Sequence, residues 1–514
     1  MIVFSRTTRP ALAWWGLLLA LVITLPTASQ SLTPDQAHDD LLYLRRQLRT
    51  YHPGLGHYTP VSRMEQVFDS LYNHVDAPID YLAFFRHLSP YLSGLKDGHT
   101  NLNHRKGFIN RDTRYVPFYI RQVEGHYFIS HNASEDSTLR RGTQLISIDG
   151  QSVADIHRAL LEGDRSGSDG DNVSGRQQWS LTQFADYYAC WFGSRDSITV
   201  QYRSPLPNGK IDSVLREKRI SCPTVAHFRE KLWQRYPTDF GPKSESRLPN
   251  LGLRIVDSLS GTAVLRVSSF SSPHGFDPFG WGFKKRLKQA FRQIKEAGVD
   301  NLIVDMQDNG GGAVVNSARL LQFWMPAPFR IMAREEMKQA ARPQLVNRWN
   351  PLSVIDFNLR YKKDGHGGFI SRVANRQYRP IQRLAFTGNL YLLMNGSSFS
   401  AATSVLAKTL DAGKGTFVGE ASGGAYWGDF AGQFNFVTLP HSRIQVRLPL
   451  KKLTHAVAPN HANGFTVEPD FTVTRSYNDL LTNRNYTLDY TLKLIRQRVT
   501  AARDIPSLLS EMKN

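Results

Sequence analysis

The stretch that decides the fold is residues 390–410, LYLLMNGSSFSAATSVLAKTL. Its apolar start predicts a buried strand, the NG pair predicts a turn, and the apolar spacing after Ser400 predicts a helix. Ser400 therefore falls at a strand-to-helix junction, where its hydroxyl is exposed above the sheet beside the unpaired N–H groups of the first helical turn. An alternative is that Ser397, Ser398 or Ser400 only caps the helix, because serine is a preferred N-cap.

The surrounding region, residues 251–514, is predicted to be an α/β domain. Residues 262–267 and 301–306 predict strands separated by an amphipathic helix, and this order favours parallel strands with crossover helices. The second strand runs into DNGGG, which ends in Gly311 and Gly312. Glycines let the backbone approach a ligand closely and point N–H groups at it, and open α/β sheets place their sites at this end of a strand.

A helical N-terminal domain is predicted over residues 32–105. Thr33 begins a capping box with proline at the first helical position, and further helical patterns cover 61–71 and 79–92. The segment then enters LKDGHT, in which DG marks a turn that carries His99. A histidine at the tip of a tight turn is more exposed to a cleft than most, so His99 is a candidate catalytic residue.

A small β-rich domain is predicted over residues 106–217, with short strands, one helix at 153–161 and a closing strand around Val214. Its polar Gly/Ser/Asp loop, residues 163–176, is long enough to suggest mobility or a functional lid. Residues 218–250 have a mixed, basic pattern and are interpreted as a connection to the α/β domain.

The first residues, 1–29, have the pattern of a cleavable secretory signal. Two arginines precede the apolar run 11–25, and small residues follow, with cleavage expected near Ala28 or Ser29. The run is short for a span of the hydrocarbon layer. The alternative is an uncleaved N-terminal anchor. The sequence therefore predicts export to the periplasm, the cell envelope or the medium, with no stable membrane span after signal removal.

The amino-acid composition excludes few classes of protein. Hydrophobic residues make up 41% and charged residues 21% of the 514 residues, which is ordinary for a globular chain. The net charge is +19, but the basic residues are scattered without a nucleic-acid motif, so no nucleic-acid partner is predicted. Cys190 and Cys222 could pair in an exported protein, and the sequence leaves this open. Neither has the neighbours of a zinc site, and no metal is predicted.

Four segments, in this order, resemble the C-terminal-processing or tail-specific serine peptidases and their tricorn-core relatives. They are LKDGHT at 95–100, the PDZ-like stretch at 141–150, DMQDNGGG at 305–312, and NGSSFSAATS at 395–404 with the following VGEASGG. The resemblance implies an α/β (α+β multidomain) fold with a crotonase-like ββα catalytic core, a small PDZ-like module and an N-terminal helical cap. It also implies a serine endopeptidase, a hydrolase of protein or peptide substrates that needs no cofactor.

The same resemblance implies roles for individual residues. Ser400 matches the nucleophile, and His99 matches the base of the tricorn-like branch. The N–H groups of Gly311, Gly312 and Ala401 match the oxyanion hole. Such an arrangement contains what acyl transfer requires, namely a nucleophile, a base and backbone donors.

The sequence also departs from the family pattern. The processing-protease branch uses a lysine where this chain has Ala425, and Lys414 lies past the expected end of the helix, so Ser-His chemistry is favoured. Members commonly carry a glutamate where this chain has Thr403. The supporting acid is therefore open, and Glu468 and Asp470 are candidates because they follow the last motif.

Two other classes of function remain alternatives. Thr403, together with Gln307 where family members often have arginine, is also compatible with a catalytically silent peptide-binding or scaffolding relative. An esterase of the α/β-hydrolase type is disfavoured because Ser400 does not lie in GxSxG.

Overall fold

The computed structural model describes residues 31–241, 250–257, 261–271, 280–347, 349–459 and 466–511. The predicted secretory signal, residues 1–29, lies outside the described residues. The described chain combines helices with several sheets, which confirms the mixed α/β, multidomain class predicted from the sequence.

The N-terminal part is mostly helical. Its elements are β1 (Ser31–Leu32), α1 (Pro34–Tyr51), α2 (Val61–Asn73), β2 (Ile79–Asp80), α3 (Tyr81–Ser93) and β3 (Asn101–Asn103). Helix α1 begins with the predicted capping box, because the side chains and N–H groups of Thr33 and Gln36 bond reciprocally. The apolar faces of the helices share one core with Val446 and Leu448, far along the chain. The three predicted helices are confirmed.

An antiparallel sheet follows. Its elements are β4 (Phe118–Val123), β5 (His126–Asn132), β6 (Gln144–Ile148), β7 (Gln151–Ser152), α4 (Val153–Gly163), α5 (Ser174–Thr182), α6 (Phe184–Phe192), β8 (Ser197–Arg203) and β9 (Arg216–Ser221). The strand order is β4-β5-β6-β8-β9, with β7 paired to β6. The prediction of a single helix is wrong, because α5 and α6 also form, and α6 buries Phe184 and Tyr188 in the core of this sheet. The strand expected around Val214 begins at Arg216.

The predicted connection, residues 218–250, has structure of its own. It contains α7 (Val225–Arg235) and the short α8 (Pro237–Phe240). Thr224 caps α7 by accepting a backbone N–H of the first turn, and Phe228 is buried in a small apolar cluster. The mixed sequence pattern concealed this helix, because only one narrow face of α7 is apolar.

The α/β part contains two interleaved sheets. Its first elements are β10 (Leu251–Asp257), β11 (Thr262–Val267), α9 (Trp281–Glu296), β12 (Asn301–Asp305), α10 (Val314–Leu321), β13 (Met332–Lys338), α11 (Arg342–Leu345), α12 (Pro351–Arg360), β14 (Tyr361–Lys363), β15 (Gly368–Ser371) and β16 (Asn389–Met394). The later elements are α13 (Ala401–Asp411), β17 (Thr416–Gly419), β18 (Gly428–Thr438), β19 (Gln445–His455), β20 (Phe471–Thr472), α14 (Tyr477–Thr482) and α15 (Tyr486–Glu511).

The first of these sheets has the order β10-β11-β12-β16-β17-β20. All neighbours are parallel except β10, which is antiparallel to β11. Helices α9, α10 and α13 cover one face and α15 covers the other, so the central strands are apolar on both sides. Asp305 pairs with Leu393, and the loops that follow β12 and β16 therefore leave the sheet side by side.

The second sheet is antiparallel and has the order β14-β15-β13-β19-β18. Strand β3 pairs with β19 outside this path, with Asn101 opposite Arg447. This pairing fixes the turn that carries His99 beside the α/β part, because His99 lies only two residues before β3.

Two further features concern cysteines and membranes. Cys190 and Cys222 are free, so the disulfide that the sequence left open is not formed. Among the described residues, no helix combines the length and the apolar character needed to cross a bilayer.

Candidate active site

Ser400 lies immediately before α13, as the sequence predicts. Its backbone has φ 54° and ψ −120°, a strained conformation for a residue with a side chain. The Ser400 side chain accepts no capping hydrogen bond from α13, so the interpretation of this residue as a helix cap is wrong. Ser398 instead donates its hydroxyl to the Met306 carbonyl at 2.8 Å, which ties the serine loop to the end of β12.

The glycine loop after β12 packs directly against Ser400. Gly311 has φ 105°, and a Cβ at this position would lie 2.8 Å from Ser400 Cβ and 3.0 Å from Ala401 N. Gly312 has φ 136°, and its Cβ would overlap the backbone of Phe270 at 2.4 Å. Both positions therefore require glycine, for space as well as for conformation.

The backbone donors near Ser400 differ from those expected. The Gly311 N–H donates to Asn309 Oδ1 at 2.9 Å, so the expected role of Gly311 as an oxyanion donor is not supported in this state. The N–H groups of Gly312 and Ala401 donate to no other described residue. Ala401 N is also at the positive end of α13, where an oxyanion is favoured. Gly312 and Ala401 thus remain available as donors.

His99 lies on the predicted turn between α3 and β3. Its side chain is buried, with 6% of the residue exposed, and its ring centroid is 4.5 Å from that of Phe399. Burial lowers the pKa of His99 to about 4; the Asp97 carboxylate opposes this effect, and the Arg447 charge adds to it. His99 is therefore neutral at pH 7 and able to accept a proton.

Ser400 and His99 line the same cavity, whose volume is about 460 Å³. The two side chains are not hydrogen-bonded to each other, and His99 Nδ1 has no hydrogen-bond partner. Catalytic hydrogen bonds are often loose without substrate, so this separation is compatible with a dyad that tightens on binding. No lysine lines the cavity among the described residues.

Asp97 anchors the histidine turn. It is fully buried; His52 Nε2 lies 3.0 Å from its Oδ2, and Thr100 Oγ1 donates to the same oxygen at 2.5 Å. Burial alone would raise the pKa of Asp97, but hydrogen bonding and the charge of His52, followed by His99, lower it below its ordinary value. Asp97 Oδ1 also accepts the His99 N–H and lies 3.9 Å from His99 Nδ1.

Asp169 joins the histidine turn to the loop after β17. Its Oδ1 accepts the Gly98 N–H at 2.9 Å, and its Oδ2 accepts the Ala425 N–H at 3.3 Å. Burial and the neighbouring carboxylates of Asp97 and Asp429 raise its pKa well above the ordinary value. The polar loop 163–176, predicted as mobile or as a lid, is therefore packed into the site and helps to hold it together.

Asp429 is a buried carboxyl beside Ser400. It lies on β18 with 4% of the residue exposed, and its Oδ1 has no hydrogen-bond partner. Burial raises the pKa of Asp429 to about 7; the charge of Asp97 adds to this rise, and an interaction with the Ser400 hydroxyl opposes it. An ionisable group with this pKa next to Ser400 is well placed to affect its protonation.

One group of side chains in the site could hold a metal ion. Ligand atoms of Asp97, His99 and Asp169 lie within 4.8 Å of one another. The two carboxylates already accept backbone hydrogen bonds that shape the turn, so their present role is structural.

The other residues considered from the sequence lie elsewhere. Glu468 is exposed, Asp470 accepts the Phe417 N–H at 2.8 Å, and neither lines the cavity, so the structure does not support either as the acid beside His99. Thr403 donates its hydroxyl to the Ser398 carbonyl at 3.1 Å and holds the serine loop.

Sequence reasoning missed Asp97, Asp169 and Asp429 as parts of the site. Asp97 had a local signal, because it stands in LKDGHT two residues before His99. Asp169 and Asp429 had none, because their contacts join segments that are distant in the sequence.

Residues 261–473 match the sequence pattern of peptidase family S41. This part of the chain is a peptidase family S41 domain. The family resemblance predicted from the four motifs is thereby confirmed, and members of this family are serine peptidases. The S41 match includes Ser400 and both glycines of the neighbouring loop, whereas His99 lies outside it.

Solved structures show the same fold over nearly the whole chain. Mature CPAF complexed with lactacystin matches with a TM-score of 0.63 at 16% identity, covering 91% of this chain and 98% of that one. A CPAF mutant structure matches with a TM-score of 0.62 at 17% identity, with the same coverage. Identities this low support the fold alone. The search of curated proteins found no significant match.

Proposed function

We propose that this protein is an exported serine endopeptidase in which Ser400 attacks a peptide carbonyl and His99 acts as the general base. One observation carries the proposal. Ser400 has strained backbone geometry at the start of α13, its hydroxyl is not used as a cap, and it shares a cavity with a neutral, buried histidine.

The chemistry follows from the surroundings of each group. Neutral His99 removes the Ser400 proton as the serine oxygen attacks, and the same imidazole then protonates the leaving amine. The N–H groups of Gly312 and Ala401 hold the negative oxygen of the tetrahedral intermediate. Asp97, whose Oδ1 lies 3.9 Å from His99 Nδ1, stabilises the imidazolium while it exists.

Asp429 is close enough to Ser400 for the serine hydroxyl to oppose the rise in its pKa. We expect the serine hydroxyl to turn towards the ionised carboxylate before substrate binds. Substrate binding then moves His99 and Ser400 within hydrogen-bonding reach.

The remaining features of the proposal rest on the sequence. Export rests on residues 1–29, and a PDZ-like role for residues 106–217 rests on the 141–150 stretch, which would present an extended peptide by strand addition or C-terminal capture.

A catalytically silent peptide-binding relative is the second candidate. It is favoured by the absence of a hydrogen bond between Ser400 and His99 and by Thr403, which holds the serine loop where the family commonly has glutamate.

Covalent labelling distinguishes the two candidates. The purified chain is treated with a serine-reactive fluorophosphonate and analysed by intact mass, as wild type and as the Ser400→Ala, His99→Ala and Ser397→Ala variants. We expect one adduct on wild type, none on Ser400→Ala, and labelling slowed by about 10²–10⁴ on His99→Ala.

Ser397→Ala is the matched control, because Ser397 lies in the same loop but does not line the cavity. It should be labelled at the wild-type rate. If wild type reacts no faster than Ser400→Ala, the peptidase proposal fails and the silent relative is favoured.

A further inference from the structure

Helix α9 carries a row of cations that the proposed chemistry does not use. Side chains spaced by three or four residues lie on one face of a helix. This spacing forms a basic stripe along the outer face of α9, made of Lys284, Lys285, Lys288, Arg292 and Lys295. The opposite face, which includes Phe283, Leu287 and Ile294, is buried in the core of the α/β part.

A surface hollow of about 580 Å³ lies beside the basic stripe. Its wall contains four cations, three from the stripe and one from the facing segment, namely Lys288, Arg292, Lys295 and Arg383. Among the described residues, Glu296 is the one acidic side chain that lines the hollow. The apolar part of the wall comes from Ile381 and Leu384. The hollow therefore has a net positive charge beside an apolar patch.

The two sides of the hollow are held together by the fold itself. Lys295 Nζ donates to the Arg383 carbonyl at 3.1 Å, and the Ile381 N–H donates to the Gln322 carbonyl at 2.8 Å. Ile381 and Leu384 also pack against the core of the α/β part. The hollow thus exists before any ligand arrives, which reduces the entropy lost on binding.

The cations of the hollow lack the acidic partners that stabilise cations on other helices. Lys408 on α13, for example, lies 2.7 Å from Asp411 Oδ2. No described carboxylate lies within ion-pairing distance of Lys288, Arg292 or Arg383. Like charges four residues apart on a helix destabilise it, so the basic stripe is unfavourable for the protein alone.

The N-terminal end of the stripe shows the same repulsion. Lys284 is in the first turn of α9, where the helix dipole disfavours a cation, and this turn contains no acidic residue. Burial lowers the pKa of Lys284, and the positive charges of Arg319, Lys288 and Arg376 lower it further. An external anion would relieve both the repulsion and the unfavourable dipole interaction.

The shape of the stripe favours an extended anionic surface over a small soluble anion. From residue 281 to residue 295, α9 extends over about 21 Å, whereas one phosphate would occupy only the hollow. Trp281 begins the helix on the same face as the stripe, with 67% of the residue exposed. Tryptophan is enriched at the interface between lipid and water, and basic clusters are attracted to anionic lipids.

We propose that the basic stripe and the hollow beside it dock the protein on an anionic bilayer by binding the phosphate headgroups of its lipids. The docking is separate from the proposed peptidase chemistry, because no residue of the stripe or the hollow lines the cavity that contains Ser400 and His99. An exported chain would thereby stay at a membrane surface without crossing it.

Co-sedimentation of the full chain with lipid vesicles tests the proposal. Phosphatidylcholine vesicles are compared with vesicles that also contain about 30 mol% phosphatidylglycerol, and we expect about tenfold stronger binding to the anionic vesicles. The preference should disappear in about 0.5 M salt, which screens the charges. Residues 1–29 are the same in every variant, so any binding that they contribute is shared.

A triple variant identifies the surface responsible. Lys288→Gln, Arg292→Gln and Lys295→Gln together should weaken binding to anionic vesicles by about 10- to 100-fold. Since these side chains are outside the cavity and repel one another, the triple variant should keep the melting temperature and the fluorophosphonate reactivity of wild type.

The matched control removes the same number of charges elsewhere. Lys106, Lys362 and Lys363 are exposed cations on other parts of the chain, and all three are changed to glutamine. This control variant has the same net charge as the first triple variant, but its binding to anionic vesicles should weaken by about twofold at most.

Three results would overturn the proposal. The first is equal binding of wild type to both kinds of vesicle at low salt, and the second is equal weakening in the two triple variants. The third is release from anionic vesicles by about 1 mM inorganic phosphate, which is too dilute to screen charges and would assign the hollow to a soluble anion. Failure of the peptidase proposal would look different, because wild type would then escape fluorophosphonate labelling while its vesicle binding persisted.

Discussion

The two walls of the cavity are built on different principles. The serine wall, residues 309–312 and 398–401, is held by hydrogen bonds to its backbone and by Gly311 and Gly312, which leave no space for a Cβ. The histidine wall, residues 97–99 with His52 and Asp169, is held by buried carboxylates and an imidazole. The serine wall is therefore sensitive to volume, whereas the histidine wall is sensitive to charge.

The most direct test of this difference, and the one with the largest expected effect, is to add one methyl group to the serine wall. Gly311→Ala would place Cβ 2.8 Å from Ser400 Cβ and 3.0 Å from Ala401 N, displacing the proposed nucleophile and a proposed oxyanion donor. We expect kcat/KM for a peptide substrate, or the rate of fluorophosphonate labelling, to fall by about 10³.

The control for this change is Gly107→Ala. Gly107 also has positive φ, at 84°, but nothing lies within 4 Å of an added Cβ. Both variants add backbone strain but only Gly311→Ala adds overlap with Ser400 and Ala401, so only Gly311→Ala should lose activity. Equal losses of activity would show that the serine wall is not limited by volume.

The histidine wall is tested by removing one charge without changing shape. Asp97→Asn keeps the size of the side chain but leaves the buried His52 without its carboxylate partner, which should lower the free energy of unfolding by about 3 kcal/mol in denaturant titrations. Asp39→Asn, in the exposed pair with His441, should change stability very little. If the two variants were equally stable, the buried charge would not hold this wall.

Measuring stability as a function of pH tests the comparison of the two walls further, because Asp429 lies between them. Its pKa is raised to about 7 from 3.8, so the folded chain keeps a proton that the unfolded chain releases. The resulting stability is fully present below about pH 4 and is lost as pH rises towards 7. The asparagine of Asp429→Asn does not titrate, so this variant does not lose stability in the same way as pH rises.

The expected result is a difference in melting temperature between Asp429→Asn and wild type that changes with pH. Compared with wild type, Asp429→Asn should gain stability of the order of 1 to 3 kcal/mol between pH 4 and pH 8. His99, whose pKa is lowered, titrates in both proteins, so its contribution to the stability difference between them largely cancels. A constant difference between the two melting curves across this range would contradict a raised pKa for Asp429.

The smallest effect is expected from the hydroxyl that holds the serine loop. Thr403→Val is isosteric and removes only the donation to the Ser398 carbonyl, which should cost about 1 kcal/mol of stability. Fluorophosphonate labelling should slow only a few-fold. A loss of labelling as large as that of Ser400→Ala would instead place Thr403 in the chemistry.

The difference between the walls also explains what the sequence could reveal. Apolar runs before NGSSFS and DNGGG predict two adjacent strand ends, because strands buried on both faces leave a continuous pattern. The side-by-side placement of the glycine loop and the serine loop follows from these two strands, so this much of the serine wall could be predicted. The exception was the Gly311 N–H, whose bond to Asn309 depends on a rotamer.

The histidine wall could be predicted only in part. His99 was found because DG marks its turn, but Asp169 contacts Gly98 and Ala425 across long stretches of chain, and no periodicity encodes such contacts. The same reason explains why Glu468 and Asp470 were considered as the acid. Closeness in sequence to a motif says little about closeness to a side chain that another domain supplies.

The pairing of β3 with β19 has a consequence for the timing of synthesis. His99 leaves the ribosome early, Ser400 much later, and Arg447 later still, yet Asn101 and Arg447 must be paired before the cavity has both walls. On the proposed mechanism, a growing chain carries Ser400 without His99 fixed beside it. The order of translation would then keep the newborn polypeptide inert until β19 has emerged, and a product truncated before that strand would stay inert.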